Sequence, residues 1–329
     1  MNSIKIGSFN VDNLSRNAKN EKTRLDNIAS IIKENDLDIV TMQEVLGEGD
    51  ILEGSNIDNV SGQALAMDYS LKMRLGSRWE TDWKAPKIRE KEYQTKESDR
   101  RGEGYAYLWN TDRIEIPLND KGEEQLPKIW ENYRINIESG MIHLKRDPCY
   151  GRFVVKNTNI EIRLISTHII WKDSTKYAEH LRKNEFKILA GQIYPRVNEY
   201  YKDIKYRNAY TILLGDYNLN LDSSDVESSA RVKDIICFDE RGKETEEGSE
   251  FCKIYTLQHE RSTINGDNTG LASNYDHFSY NDDVKRIVSG DGARTIKAVD
   301  DLFGTAEDKY ERYKKEVSDH LPIIIELGF

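Results

Sequence analysis

A short apolar run that ends in polar side chains is the feature of this sequence that most constrains its fold. Residues 210–220 read Y-T-I-L-L-G-D-Y-N-L-N, with a largely apolar, partly β-branched run before Gly215. The run is long enough for one buried strand and too short for a helix, so it predicts a strand that ends at this glycine. Side chains two apart on an extended segment point the same way, so Asp216 and Asn218 are expected to converge on one small target. An Asx-type turn that closes the strand is the alternative interpretation of the same residues.

The composition is that of a soluble globular protein. The 329 residues are 37% hydrophobic, 32% charged and 9% aromatic, which is enough apolar content for a core and unlike a disordered chain. No apolar run approaches the length of a membrane span, and a strand-like start leaves no room for a signal peptide. Cys149, Cys237 and Cys252 are odd in number, lack metal-type spacing and are expected to be reduced. These features favour a cytoplasmic protein without a membrane partner.

The formal net charge of −10 counts against a surface that is basic throughout and binds nucleic acid. It does fit a site in which several carboxylates gather a hard cation. Residues 84–101 are a local exception, with seven Lys/Arg against four Asp/Glu, a net of +3. This stretch has little apolar content and is interpreted as a mobile surface loop. Because it leads into Glu103, contact with a polyanion near the site is the second interpretation.

Alternating strand and helix patterns predict a parallel or mixed sheet. Residues 4–9 and 37–42 each predict a strand. Between them, apolar residues recur at helical spacing from Leu25 to Ile32, with Thr23 as the candidate cap. This strand–helix–strand order places the carboxyl ends of both strands at one edge of the sheet.

Further elements follow to the end of the chain. Strands are predicted at residues 79–83, 104–109 with a continuation at 113–116, 251–257, 274–280 and 323–325, and as a hairpin at 152–156 and 160–166. Helices are predicted at residues 64–75 and 306–315 and after a cap at Asp173 or Ser174. The inner face of that last helix is expected to carry Tyr177, Leu181, Ile188, Leu189 and Ile193. No repeat or linker interrupts the sequence, so residues 1–329 are expected to form a single domain.

Polar side chains stand at the ends of the predicted strands, where a compact sheet fold can make them neighbours. They are Asn10, Asp12, Glu44, Glu103, His168, Asp216, Asn218, Asp276, Asp319 and His320. Oxygen ligands of this kind suit Mg²⁺, Mn²⁺ or Ca²⁺ better than zinc, which prefers His and Cys. Carboxylates and histidines that activate water, and donors that stabilise a developing oxyanion, are what cleavage of a phosphate ester needs. Taken singly, each residue also has a structural interpretation, such as a turn or a surface ion pair.

Taken in order, these motifs resemble those of the endonuclease/exonuclease/phosphatase superfamily, the deoxyribonuclease-I-like and apurinic-endonuclease-like metal phosphodiesterases. The resemblance is carried by F-N-V-D-N-L at 9–14, Q-E-V at 43–45, E-G-Y-A-Y-L-W at 103–109, S-T-H at 166–168, L-G-D-Y-N at 214–218, Y-D-H at 275–277 and S-D-H-L-P at 318–322. It implies an α/β fold, a four-layer α/β/β/α sandwich of two packed mixed β-sheets flanked by helices. It also implies Mg²⁺ as the cofactor, with Mn²⁺ or Ca²⁺ as substitutes.

The resemblance implies metal ligands by position. Glu44 corresponds to the principal metal ligand, and Asn10, Asp12 and Asp319 are implied to lie near the ion.

The resemblance also implies catalytic and substrate-binding residues. Asp216 and Asn218 correspond to the pair that activates water and orients the phosphate, and two carboxylate–histidine pairs are implied, His320 with Asp276 and His168 with Glu103. A carboxylate partner favours the protonated ring, so each histidine is expected to hold or donate a proton at the phosphate. Two residues are implied as substrate contacts: Arg146, in Arg-Asp-Pro, and Tyr105.

Departures from the family motifs argue against one branch of the superfamily. His277 stands where most relatives have Arg, and Leu214 and Tyr275-Asp-His do not match the lipid and inositol phosphatases. The leading hypothesis, from the ordered acid, amide and histidine set and the basic stretch at 84–101, is an Mg²⁺-dependent phosphodiesterase that hydrolyses DNA or RNA, with DNA favoured. The alternatives are a lipid, inositol or small-molecule phosphodiesterase or phosphatase, and a non-catalytic binding module on the same fold. Because a nuclease without an export signal endangers its own cell, either substrate selectivity or control by a regulatory protein partner is a further expectation.

Overall fold

The computed structural model of the protein describes residues 3–15, 20–47, 70–86, 103–130, 134–137, 140–169, 174–200, 208–220, 237–238, 244–245, 255–256 and 260–329. The strands in these ranges are β1 (Ser3–Leu14), β2 (Ile39–Leu46), β3 (Trp79–Lys84), β4 (Glu103–Asn110), β5 (Ile114–Glu115), β6 (Lys128–Ile129), β7 (Arg134–Ile137), β8 (Gly140–His143), β9 (Cys149–Val155), β10 (Ile160–His168), β11 (Asn208–Asp216), β12 (Cys237–Phe238), β13 (Glu244–Thr245), β14 (Tyr255–Thr256), β15 (Asp276–Tyr280), β16 (Val288–Thr295) and β17 (Ile323–Gly328). The helices are α1 (Glu21–Glu34), α2 (Lys72–Leu75), α3 (Lys176–Ile188), α4 (Tyr194–Tyr200), α5 (Asp282–Lys285), α6 (Ala298–Phe303) and α7 (Lys309–Glu316), with a π-helical turn at Leu189–Ile193 between α3 and α4. None of the helices within these ranges has the length and apolar content needed to cross a membrane.

Two mixed sheets form the centre of the molecule. The first has six strands in the order β16-β17-β1-β2-β4-β3, and the second has seven, with β14-β15-β11-β10-β9-β5 in order and β6 paired to β9. Each sheet contains a parallel pair, β1 with β2 and β10 with β11. In both pairs a helix-containing connection links the strands, as the predicted strand–helix–strand order requires.

Three apolar cores separate the layers. The central core lies between the sheets and takes alternate side chains of β1, such as Ile4 and Ile6, together with residues of the second sheet such as Ile162. Because successive side chains of a strand point to opposite faces, Phe9 and Val11 of β1 lie in the outer core of the first sheet. That outer core is covered by α1, α2, α6 and α7.

The opposite outer core lies on the second sheet, where α3, the π-helical turn and α4 pack on it through Phe186, Leu189 and Val197. The order of layers is therefore helix, sheet, sheet, helix. The predicted four-layer α/β/β/α sandwich is confirmed.

Helix caps are where the predictions were wrong. The cap of α1 is Asn20, which has a left-handed backbone and no side-chain cap bond, so Thr23 lies inside the helix. The cap of α3 is Thr175, whose Oγ1 accepts a 3.2 Å hydrogen bond from Ala178 N. Asp173 lies outside the described residues. Ser and Thr cap with similar geometry, so neighbouring candidates are hard to separate by residue type.

Two further predictions differ from the structure. Tyr177 is 65% exposed rather than on the inner face of α3. Residues 113–116 do not continue β4, because β5 pairs with β9 of the second sheet. The basic residues 87–101, most of residues 64–75 and most of residues 222–257 lie outside the described ranges.

Candidate active site

Three neighbouring strands of the second sheet bring their polar ends into register. His168, the last residue of β10, lies opposite Asp216, the last residue of the parallel strand β11. Asp216 also lies opposite Asp276, the first residue of the antiparallel strand β15. All three are buried, with exposed fractions of 6%, 1% and 0%. The register of the sheet therefore assembles a histidine and two carboxylates at one edge.

The first sheet contributes the ends of β1 and β2 and the start of β4. Asn10 lies opposite Gln43 in the parallel pair, and Glu44 comes next with a left-handed backbone, φ 59°. This conformation is uncommon for a residue other than glycine and is found preferentially at functional sites. Glu103 begins β4 opposite Leu46 of β2. The carboxylates of both glutamates thus lie at the same edge as Asn10.

Asn10 connects the contributions of the two sheets. Its Nδ2 donates hydrogen bonds of 3.0 Å to Glu44 Oε1 and 3.0 Å to Asp216 Oδ2. Its Oδ1 accepts a 3.0 Å hydrogen bond from Asp12 N. Ser318 Oγ donates to the backbone oxygen of Asn10 at 2.7 Å, which ties the segment before β17 to the same point. One amide therefore fixes the distance between two carboxylates that the sequence separates widely.

Asp12 and Asn13 form the neighbouring side of the site. Both have left-handed backbones, with φ 43° and 56°. Asn13 Nδ2 donates to Glu44 Oε2 at 3.0 Å and to Asp12 Oδ1 at 3.2 Å. The sequence reasoning did not single out Asn13, although it lies within the motif F-N-V-D-N-L.

Asp216 and Asn218 converge as predicted, but through a turn. Asn218 N donates to Asp216 Oδ1 at 2.8 Å, which is the hydrogen bond of an Asx-type turn. Asn218 has a left-handed backbone, φ 49°, so the alternation of an extended strand does not explain the convergence. Its Nδ2 lies 3.3 Å from Asp216 Oδ2 and donates to Ile169 O at 2.6 Å. The strand-end and Asx-turn interpretations of residues 210–220 are therefore compatible, because the turn orients the carboxylate of Asp216.

His320 pairs with Asp276, as the resemblance implied. His320 Nδ1 lies 2.8 Å from Asp276 Oδ2, and Ser262 Oγ donates to the same oxygen at 2.6 Å. The other ring nitrogen, Nε2, lies 3.8 Å from Asp216 Oδ2 and 3.9 Å from Asp319 Oδ1. Burial opposes a charge on this ring, but the carboxylates of Asp276 and Asp216 outweigh burial and raise the pKa of His320 well above its usual range.

His168 is paired differently from the prediction. The guanidinium of Arg146 lies between His168 and Glu103: Nη1 is 2.9 Å from His168 Nδ1, and Nη2 forms an ion pair with Glu103 Oε2. His168 Nε2 lies 3.6 Å from Glu44 Oε1 and 3.7 Å from Asp216 Oδ2. Burial and the positive charges of Arg146 and His320 lower the pKa of His168 well below its usual range. The implied carboxylate–histidine pair is thus replaced by a Glu–Arg–His chain.

Tyr105 lies in the core between the sheets and is 2% exposed. Its hydroxyl accepts a 3.2 Å hydrogen bond from His168 N. The resemblance implied that Tyr105 contacts the substrate. Its hydroxyl instead contacts the backbone at the end of β10, from the core between the sheets. The sequence places Tyr105 on the strand but does not say which face it occupies.

The carboxylates of the site are held in an environment that disfavours their charge. Burial raises the pKa of Glu44 to about 7, and the charge of Glu103 adds to the rise. Burial raises the pKa of Asp216 to about 7, with a further contribution from Asp276. Burial also raises the pKa of Asp319. Clustered, desolvated carboxylates of this kind are what a divalent cation with oxygen ligands neutralises, so the donor set fits Mg²⁺.

One tighter group within the described residues has metal-ligand atoms within 4.8 Å of one another: Asp216, Asp276 and His320. Asp276 Oδ2 already accepts from His320 and Ser262. Asp276 is therefore hydrogen-bonded to His320, whose Nε2 lies 3.8 Å from Asp216 Oδ2, whereas Glu44, Asp12 and Asp319 are the more exposed carboxylates around this group.

Two supporting residues were missed by the sequence reasoning. Arg24 of α1 is 8% exposed and donates to the backbone oxygens of Asp12 at 2.9 Å and Val317 at 3.1 Å, so it holds two site segments from behind. Ser262 is fully buried, and its Oγ accepts from Asp276 N at 3.1 Å besides donating to the carboxylate. Arg24 lies among the apolar positions of a helix, and Ser262 lies in a polar stretch. Neither residue is part of a motif that would have indicated its role.

His277 is a structural residue. It is fully buried, its Nε2 lies 2.9 Å from both Leu219 O and Asn274 O, and its ring packs against Tyr217 with centroids 5.2 Å apart. His277, which stands where most relatives have Arg, therefore lies in the packed interior below the site.

Solved structures with the same fold cover nearly the whole chain. An endonuclease/exonuclease/phosphatase protein from Bacteroides vulgatus has a TM-score of 0.55 at 14% identity, with 100% of both chains covered. TDP2 of D. rerio, in complex with a single-stranded DNA product, has a TM-score of 0.54 at 14% identity, with 99% of both chains covered. A mannosyl-6-phosphatase from Bacteroides thetaiotaomicron has a TM-score of 0.54 at 15% identity, covering 99% of this chain and 100% of its own. At these identities the likeness shows the fold.

No curated protein matches the sequence closely enough to be counted as a relative. The profile of the Endonuclease/Exonuclease/phosphatase family matches residues 7–320, from β1 to the histidine that pairs with Asp276. This match covers the strands and the site residues described above. The chain belongs to the Endonuclease/Exonuclease/phosphatase family.

Proposed function

We propose that this protein is an Mg²⁺-dependent phosphodiesterase that hydrolyses nucleic acid, with DNA as the preferred substrate. Membership of the family makes it a hydrolase of phosphate ester bonds. The finer assignment is supported by one observation above the others: Asp216 Oδ2 lies within 3.0 Å of Asn10 Nδ2, 3.7 Å of His168 Nε2 and 3.8 Å of His320 Nε2. A single buried carboxylate oxygen surrounded by donors is the arrangement expected of a group that activates water.

The metal ligands we propose are Glu44 and Asp319, with Asp12 and Asn10 beside them. When bound, Mg²⁺ would neutralise charge on the phosphate and on the carboxylates around it. Asn10 and Asn13 donate to the two oxygens of Glu44 and keep its carboxylate in one orientation. Mn²⁺ is expected to substitute, because it accepts the same oxygen ligands.

The proton transfers are assigned to the chain's own residues. Asp216, with a pKa raised to about 7, accepts a proton from the attacking water at neutral pH. Asn218 holds this carboxylate through the Asx-type turn. His320, kept protonated by Asp276, donates from Nε2 toward the phosphate oxygen or the leaving group. His168 donates from its own Nε2 on the other side of Asp216.

A small-molecule phosphate ester is the second candidate substrate. Arg146, an implied substrate contact, is engaged by Glu103 and His168, and the chain carries a net charge of −10. Both observations weaken the argument for a long polyanionic substrate. The solved structures of the same fold include a DNA-bound TDP2 and a sugar phosphatase, so the likeness does not choose between the two classes.

The test is a substrate panel with purified full-length protein. Matched single- and double-stranded DNA and RNA oligonucleotides, a sugar monophosphate, a soluble inositol phosphate and phospholipid vesicles are each incubated with Mg²⁺, with Mn²⁺ and with EDTA. We expect metal-dependent cleavage of the DNA oligonucleotides. Release of phosphate from the sugar monophosphate without oligonucleotide cleavage would move the assignment to the second candidate. Turnover of no phosphate ester in any metal, by protein that is folded by circular dichroism, would contradict the proposal.

A further inference from the structure

Arg146 occupies the position between two residues that were expected to touch each other. It lies in the segment between β8 and β9, and its side chain is 17% exposed. One nitrogen of the guanidinium forms an ion pair with Glu103 Oε2, and the other lies 2.9 Å from His168 Nδ1. The three side chains thus form a chain from the start of β4 to the end of β10.

The direction of the hydrogen bond between Arg146 and His168 is set by chemistry. A guanidinium carries only donors and is not deprotonated in proteins. His168 Nδ1 must therefore accept, and the proton of the neutral ring is left on Nε2. A glutamate in direct contact with Nδ1 would impose the opposite tautomer, with the proton on Nδ1, because a carboxylate accepts from N–H.

The nitrogen that keeps the proton faces the reacting part of the site. His168 Nε2 lies 3.6 Å from Glu44 Oε1 and 3.7 Å from Asp216 Oδ2, both of which are acceptors. An Nε2–H donor at this place is available to a phosphate oxygen that enters between the two carboxylates.

The surrounding structure holds two members of this chain, His168 and Arg146. Tyr105 OH accepts from His168 N at 3.2 Å, which holds the backbone of the histidine. The backbone N–H of Lys145, next to Arg146, hydrogen-bonds to the half-buried Glu185 of α3. The guanidinium is therefore anchored by its carboxylate partner and by its own segment.

We infer that Arg146 is a positioning residue: it holds the His168 ring in the neutral tautomer that carries its proton on Nε2, directed at Glu44 and Asp216. The inference replaces substrate contact as the main role of Arg146. The tautomer stands on the geometry alone, and only its catalytic consequence rests on the proposed function. Glu103 acts through Arg146, by holding the guanidinium in place.

The tautomer is measured directly by nitrogen NMR of the histidine rings in the full-length protein, with the His168 signals assigned through His168→Gln. The wild type is expected to show a protonated Nε2 and an unprotonated Nδ1 for His168. Arg146→Gln is expected to populate the other tautomer, whereas Arg146→Lys, which keeps a cationic donor, is expected to retain the wild-type pattern. A protonated Nδ1 in the wild type, or a tautomer unchanged in Arg146→Gln, would overturn the inference.

Kinetics separate positioning from substrate binding, using the substrate that the panel identifies. Loss of a positioning residue is expected to lower kcat by about 10-fold to 100-fold, as for other residues that orient an active-site ligand, with little change in KM. A raised KM with kcat preserved would make Arg146 a substrate contact and contradict the inference. Thermal midpoints of the variants are compared with the wild type, and a variant that has lost its fold is replaced in both assays by Glu103→Gln. If the wild type turns over nothing, the proposed function fails while the NMR result still decides the tautomer.

Discussion

Asn10 of the first sheet donates a 3.0 Å hydrogen bond to Asp216 of the second, joining residues 206 positions apart in the sequence. The same nitrogen donates to Glu44, so one side chain sets the separation of two carboxylates. Because the two residues belong to different sheets, the packing of the sheets is part of the active-site geometry. A shift of one sheet against the other would separate the metal ligands proposed on the first sheet from Asp216, the proposed base on the second.

Replacement of Asn10 by alanine is predicted to lower catalysis more than stability. Asn10→Ala leaves the two carboxylates without their common donor, and we expect kcat to fall by about 10-fold to 100-fold. Steady-state kinetics and a thermal midpoint measure the two effects. Asn119→Ala, in an exposed loop where the amide contacts Glu123, is the matched control and should be fully active. Full activity of Asn10→Ala would show that this bridge is not needed.

Gly215 is predicted to be indispensable for the turn that carries Asp216. Its backbone has φ +133°, and a Cβ atom there would lie 2.0 Å from Thr167 O of the neighbouring strand. We expect Gly215→Ala to lower the free energy of unfolding by about 2 kcal/mol or more, since both strain and a backbone clash are introduced. Urea denaturation measures the change. Gly266→Ala is the control, because that position has open space around it. Equal stabilities of the two variants would contradict the prediction.

The strand ends could be predicted because they combine two signals that are local in sequence. An apolar run of strand length followed by Gly-Asp-x-Asn identifies Asp216 and Asn218 without knowledge of the fold. The parallel pairing of β10 and β11 then brings His168 next to Asp216 in the register that the strand lengths allow. Local pattern and family motifs together were sufficient for the layers of the sandwich.

The supporting contacts could not be predicted, because they depend on side-chain directions across the sheets. Nothing in the spacing of Glu103 and His168 indicates that Arg146 enters between them. Ser262 and Arg24 act through backbone groups of other segments, which have no counterpart in a residue pattern. Such contacts are set by tertiary packing, and sequence periodicity does not report it.

The charge of His320 is predicted to depend on Asp276 and to set the alkaline limit of activity. Burial opposes the charge, and the Asp276 carboxylate is the largest contribution that raises the pKa of His320. Activity that needs the protonated ring is present below the folded pKa and falls as pH rises through it. Asp276→Asn weakens the stabilisation of the protonated His320 ring, so we expect the alkaline fall of kcat/KM to move toward lower pH by about one unit or more. Profiles of kcat/KM against pH test this, and identical alkaline limbs would be inconsistent with it.

A buried ion group on the second sheet is predicted to stabilise the fold at neutral pH. Glu161 is fully buried and accepts from Arg152 at 2.9 and 2.8 Å and from Arg163 at 2.9 Å. Burial alone would raise its pKa, but the hydrogen bonds from both arginines outweigh burial and lower the pKa of Glu161 below 4.5. Glu161→Gln removes the carboxylate that accepts from both buried guanidinium groups, and we expect a loss of about 3 kcal/mol at pH 7.

The pH dependence of this loss has a definite sign. A carboxyl with a lowered folded pKa stabilises the protein above the unfolded pKa of about 4.5, and this stabilisation is lost as pH falls through the lower, folded value. The difference in unfolding free energy between wild type and Glu161→Gln should therefore shrink below pH 4.5. Urea denaturation between neutral and acidic pH measures it. Glu115→Gln, on the exposed side of β5, serves as the control. A difference that stays constant with pH would show that the carboxylate charge is not the cause.

The measurement that tests the central claim most directly is the hydrolysis rate of wild type and Asp216→Asn in Mg²⁺, each with and without EDTA, on the best substrate of the panel. Asn has nearly the shape of Asp but cannot accept the proton of water, so the substitution removes the proposed base with little change in side-chain volume. We predict metal-dependent hydrolysis by the wild type and a rate about 10²-fold to 10⁴-fold lower for Asp216→Asn. Equal rates for the two proteins, or a wild-type rate unaffected by EDTA, would contradict the claim that the ends of the two sheets form one metal-dependent site centred on Asp216.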